Sequence, residues 1–128
     1  MMSGFDWSEY YNLALELAGE TSEPTCQEAK QRCSISRAYY AVFVPTRDRL
    51  VTILRRRFDR KTVHRDVRRE LTKSFDPDWN NLATLLESMS EHRNNADYDA
   101  HLKNRPEQIV KLQLAAARSA RELIPKLK

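Results

Sequence analysis

WNNLATLLESMSEHRNNADYDAH, residues 79–101, divides into two parts of opposite character. In the first part Trp79, Leu82, Leu86 and Met89 step by three and four, which keeps them on one face of a helix. The next step of that stripe lands on Arg93, and Asn94, Asn95, Asp97, Tyr98 and Asp99 follow. A guanidinium facing inward cannot shed its proton and costs several kcal/mol unless paired or hydrogen-bonded. Its candidate partners are Asp97, one turn on, and Ser36, Tyr39 or Tyr40 across a helix interface.

Working outward, four more segments carry helical spacing. From about Asp6 to Ala18, Trp7, Tyr10, Leu13, Ala14 and Leu17 share a face, with Gly19 as a stop. Thr25 is placed to cap the next helix, with Glu28 completing a capping box. Its stripe is Ala29, Cys33, Ser36, Tyr40 and Phe43, then Leu50, Ile53, Leu54 and Phe58, and Pro45 between the halves predicts a kink. Val63, Val67, Leu71 and Phe75 predict a shorter helix. Asp78 is the expected cap of the helix that runs from Trp79 to about Asp97. After the connector DAHLKNRP, Pro106 opens a fifth helix, with Ile109, Leu112, Ala116, Leu123 and Ile124 as its stripe. Amphipathic helices without strand patterning predict an all-α fold, an antiparallel four- to five-helix up-and-down bundle, with residues 1–128 as a single domain.

Composition agrees. At 128 residues, 41% apolar and 31% charged, the chain can bury a core, and only two glycines argue against a turn-rich all-β fold. No apolar run approaches the roughly 20 residues that cross a bilayer, so no membrane partner is expected. The start, MMSGFDWSEYY, lacks the pattern of a secretory signal, which predicts a cytoplasmic location. Cys26 and Cys33 on one helix would stand about 10 Å apart, too far for a disulfide, so reduced thiols are expected. Asp97, Asp99, His92 and His101 lack the spacing of a metal-ligand set, and no Gly-rich phosphate loop or nucleophile elbow occurs; no metal and no cofactor is expected.

The positive charge is concentrated. Residues 1–30 hold six acids and one base, whereas residues 55–73, RRRFDRKTVHRDVRRELTK, hold nine bases and three acids. Arg65, Arg68 and Arg69 share an outward helical face there. The ordinary reading is a solvated face, partly neutralised by Asp59, Asp66 and Glu70. The functional reading is an electrostatic footprint for RNA or for an acidic partner protein.

A second inward arginine is expected at Arg37, in CSISRAYYAVF (33–43), four residues after Cys33 and three before Tyr40. SRAYYAVF followed about fifty residues on by RNNADYD resembles the HEPN superfamily, and within it small prokaryotic proteins of the UPF0332 type. The matching positions are Ser36, Arg37, Ala38, Tyr39, Tyr40, Ala41 and Phe43, then Arg93, Ala96, Asp97 and Tyr98. The resemblance implies a helical bundle that forms a homodimer around a shared, arginine-lined cleft. It also implies binding of RNA or a nucleotide, by Arg93 and Asn94 with Arg37, Ser36, Tyr40 and Asp97. Many such proteins are toxin-type, metal-independent endoribonucleases paired with a minimal nucleotidyltransferase antitoxin. In their motif an arginine, four to six residues and then a histidine divide the work: the arginine holds the phosphate and the histidine moves a proton as the 2′-hydroxyl attacks.

Here the pattern is broken. Tyr98 stands where the histidine belongs, and its unperturbed pKa of about 10 makes it a poor base at neutral pH. His101 would lie about 12 Å further along a continuous helix and serves only if the chain folds back. His92, about 100° away from Arg93, is expected to face solvent. Two readings stay open: an RNA- or nucleotide-binding cleft, in its stronger form an endoribonuclease using Arg93, Asn94, and His101 or Tyr98; or a non-catalytic module that docks an acidic partner through Arg65, Arg68 and Arg69.

Overall fold

A computed structural model describes residues 4–6, 11, 13, 16, 20 and 27–128. From residue 27 on, four helices, α1 (Gln27–Leu54), α2 (Val63–Lys73), α3 (Pro77–Tyr98) and α4 (Pro106–Leu123), precede a 3-10 turn, Ile124–Lys126, and Tyr11, Leu13 and Glu16 are also helical. α1 packs against α3 and α4, while α2 lies mainly on α3. The fold is an all-α bundle, with no strand among the described residues. Thr25, Cys26 and most of the expected Asp6–Ala18 helix lie outside them. Leu13 is buried with Phe5 and Ala29, beside a free Cys33 thiol.

The helix ends show why the chain breaks where it does. α1 runs through Pro45 without interruption, and the Thr46 hydroxyl donates to the Val42 carbonyl at 2.8 Å in that turn. It stops short of the expected Phe58, because Arg55 takes the left-handed conformation (φ 55°) that closes many helices. That conformation costs a non-glycine residue about 1–2 kcal/mol. α2 ends at Lys73, so Phe75 does not extend its stripe but stands fully exposed. The Asn80 amide donates to the Leu71 and Ser74 carbonyls and ties the end of α2 to α3. α3 is capped by Asp76 rather than Asp78: the Asp76 carboxylate accepts from the Asp78 backbone N–H at 2.8 Å, with Pro77 in the first turn.

Two stripes are rotated from their expected positions. On α1 the buried face is Ala29, Arg32, Ile35, Ala38, Tyr39, Val42, Phe43, Thr46 and Leu50, so the expected Ala29, Phe43 and Leu50 are in it while Arg32, Ile35 and Tyr39 take the places expected for Cys33, Ser36 and Tyr40. On α4 it is Ile109, Gln113, Ala117 and Ala120, which leaves Leu112 exposed. The main core joins Tyr39, Val42 and Leu50 to Val67 and Leu71, to Leu82, Leu86 and Met89, and to Leu127. Arg49 donates to the Leu127 carbonyl at 2.8 and 3.1 Å and draws the last residues under α1. No described helix is long and apolar enough to cross a membrane.

Candidate functional site

Arg93 projects from the last turns of α3 onto α1, with its side chain only 12% exposed. Its guanidinium carbon lies 5.3 Å from the centre of the Tyr39 ring and 5.6 Å from that of Tyr40. Nη1 is 3.6 Å from the Asp97 carboxylate, which also accepts from the Ser36 hydroxyl at 3.4 Å. The expected partners Asp97, Ser36, Tyr39 and Tyr40 thus do gather at this arginine. Nε, however, is buried and has no hydrogen-bond partner, alone among the buried side-chain polar atoms of the described residues. Such an orphan donor costs about 1–3 kcal/mol, which stacking on two rings offsets only in part.

The same two tyrosines bring in a residue that local spacing does not mark. His64, at the start of α2, lies with its Nδ1 2.6 Å from the Tyr39 hydroxyl. Its ring stacks on Phe43 at 4.2 Å and lies 5.7 and 6.1 Å from the Tyr39 and Tyr40 rings. Burial, then the charges of Arg93, Arg68 and Arg47, hold its pKa below the ordinary value. His64 is therefore neutral at physiological pH. Burial pushes the Tyr39 phenol up, against a Ser90 hydrogen bond and the charges of Arg68 and Arg93 that pull it down, so Tyr39 keeps its proton. The half-buried Arg68 completes the cluster, donating to the Ser90 hydroxyl at 3.3 Å.

Other expected site residues lie elsewhere. Arg37 is exposed rather than inward: it sits about 200° round α1 from Tyr39 and lines a groove with Cys33, Ala41 and Leu114. Burial raises the Cys33 pKa there, keeping that thiol protonated. Asn94 and Tyr98 face solvent at the end of α3. His101 does not join Arg93; it lines a separate cavity with Gly4, Asp6, Glu28 and Arg105. His92 does not face solvent either, since its Nδ1 lies 3.0 Å from the Oε1 of the buried Gln113, whose amide donates to the Ile35 and Met89 carbonyls. Arg65 and Arg69 are exposed and, with Arg68, Thr72 and Lys73, line a groove between α2 and α3.

The fully buried arginine is Arg32. It donates to the carbonyls of Ala96, Asp99 and Ala100 at 2.9, 2.6 and 3.3 Å and to Glu28 at 2.9 Å, and it lies over the Phe5 ring. In sequence Glu28 reads as part of a capping box and nothing singles out Arg32; the fold makes Arg32 the donor to the carbonyls at the end of α3.

No cluster of three or more metal-ligating side chains occurs among the described residues. No family model, curated protein or solved structure matches the chain.

Proposed function

We propose that the protein binds RNA or a nucleotide through Arg93 and, in its active form, cleaves RNA with His64 as the proton acceptor. The observation that carries this reading is the orphaned Nε of Arg93. Nη1 leans on Asp97 and the buried Nε is left without an acceptor, so a phosphate that meets Arg93 as the side chain turns outward would satisfy the Nε edge in a bidentate fork. The surroundings favour an anion: Arg93, Arg68 and Arg47 all act on His64, and Asp97 is the carboxylate that pairs with Arg93. The resemblance to HEPN proteins points the same way, with the histidine supplied by α2 instead of by the end of α3.

The chemistry uses the tautomer in which His64 donates from Nδ1 to the Tyr39 oxygen and keeps a lone pair on Nε2. Nε2 takes the proton of the 2′-hydroxyl as the 2′-oxygen attacks phosphorus. The bond to the 5′-oxygen breaks, that oxygen takes a proton from solvent, and a 2′,3′-cyclic phosphate remains. Arg93 neutralises the charge that builds on the non-bridging oxygens. A homodimer sharing this cleft, with a nucleotidyltransferase-like antitoxin as partner, is the assembly this reading favours.

A labelled single-stranded oligoribonucleotide in excess chelator tests it. Arg93→Ala should weaken binding by about 1–3 kcal/mol, Arg93→Lys should not restore it, and His64→Asn should bind but not cut. Binding and cutting unchanged in Arg93→Ala would remove the reading; binding without cutting in the unaltered protein would reduce it to binding alone. A second reading, a non-catalytic module for an acidic partner, rests on the Arg65, Arg68 and Arg69 groove, in which Arg65 pairs with Asp66 while Arg68 and Arg69 form no ion pair with a described residue. It gains if RNA affinity depends on that groove and not on Arg93.

A further inference from the structure

The connector from α1 to α2 encloses a cavity of about 510 Å³ that the Arg93 cluster does not use. Its volume lies within the roughly 300–1,000 Å³ usual for small-ligand sites. One wall is apolar, made by Val51, Phe58 and Val63; the rim carries Arg47, Arg57 and Arg60 against a single carboxylate, Asp48. Arg47 is committed to Asp48, at 2.9 Å. Arg57 and Arg60 form no ion pair with a described residue. Arg56 is not free in this way, since it pairs with Glu70 and lies over the Phe58 ring at 5.2 Å, pinning that ring in the wall. The left-handed Arg55 turns the chain so that these arginines stand round one hollow instead of continuing along α1.

A solvated charge run spreads its cations over a convex surface. Here unpaired guanidinium groups and an apolar wall share a concave one, which is the chemistry that receives a phosphorylated base. The position matters as well. Val63 adjoins His64 in sequence, and the Arg47 charge acts on the His64 ring, so the cavity and the Arg93 cluster lie on either side of the start of α2.

We infer that this cavity is a second nucleotide subsite. It takes the phosphate of one nucleotide of a single-stranded RNA on Arg57 and Arg60 and its base against Val51, Phe58 and Val63, next to the phosphate held by Arg93. The inference rests on the RNA reading of Arg93 and deepens it.

Titrations of a labelled oligoribonucleotide over a range of salt, and of AMP, separate the outcomes. They compare the unaltered protein with Arg57→Ala/Arg60→Ala, with Arg93→Ala and with the control Arg118→Ala on α4. Arg57, Arg60 and Arg118 are exposed whereas Arg93 is largely buried, so equal melting temperatures are needed to verify that folding is intact. The double variant should bind the oligonucleotide at least about tenfold more weakly. Its log–log salt slope should fall by about 0.7, the value for one single-strand phosphate that is no longer neutralised. AMP binding should disappear in the double variant and persist in Arg93→Ala. Unchanged oligonucleotide affinity and slope in the double variant, with Arg93→Ala still weakened, overturns the subsite and leaves the Arg93 reading intact. Loss of AMP alone assigns the cavity to a free nucleotide and overturns its place on a strand. Weakening in the double variant with none in Arg93→Ala defeats the Arg93 reading, and with it the paired arrangement proposed here.

Discussion

At the scale of single residues, His64 is the group whose charge state the fold controls most clearly. Burial and three arginines depress its folded pKa, so the unfolded chain binds the extra proton. Stability linked to His64 is complete above its unfolded pKa of about 6.5 and is lost as pH falls through the lower folded value. Denaturant unfolding at a series of pH values should show stability dropping below about pH 6.5. In His64→Phe, which keeps an aromatic ring against Phe43, that part of the drop should be missing. An equal slope in both proteins would mean that His64 is not held neutral. Tyr39 links this residue to Arg93, since one ring carries the guanidinium on its face and the histidine at its hydroxyl.

At the scale of elements, α3 depends on α1 for its ending. Arg32, from α1, donates to the Ala96 carbonyl in the last turn of α3 and to those of Asp99 and Ala100 just past its end, while the Phe5 N–H adds a second donor to Ala100 at 2.7 Å. The arm that delivers Phe5 passes so close that a Cβ on Gly4 would lie 2.6 Å from the Ala100 Cβ. Arg32→Leu strips a buried hub of its donors and should cost about 3–5 kcal/mol, as removing one partner of a buried ionic cluster does. Amide exchange should then rise first at Ala96–Ala100, and the Arg93 site should loosen with it. Exchange unchanged there, or a loss below about 1 kcal/mol, would show that the cap is dispensable.

At the scale of the whole molecule, closure of the bundle rests on its last residues. Leu127 is fully buried in the main core, and Arg49 grips its carbonyl. Leu127→Ala should destabilise the protein by about 2–5 kcal/mol, the range for a buried leucine that leaves a cavity. Calorimetry would read this as a fall in melting temperature of several degrees, and an unchanged midpoint would mean that the tail only rests on the surface. The basic connector stands outside this closure, so the arginines proposed to meet RNA can change without loss of the core.

The helical segments beyond residue 27, the start of α4 at Pro106 and the inward turn of Arg93 were legible in the chain, whereas the cap of α3 fell two residues earlier than expected. The spacing of Trp79, Leu82, Leu86 and Met89 and the proline at 106 are local signals that a neighbour does not overrule. The exact buried face of α1 was not legible, because it is wedged between α3 and α4 and its orientation follows from both of them; hence Arg32 went in and Arg37 came out. His64 could not be read either. Its place beside Arg93 depends on α2 lying across Tyr39 and Phe43, a meeting of residues remote in sequence that periodicity carries no trace of. Backbone preference and apolar spacing are properties of neighbours along the chain, whereas a site is made by residues that only packing brings together.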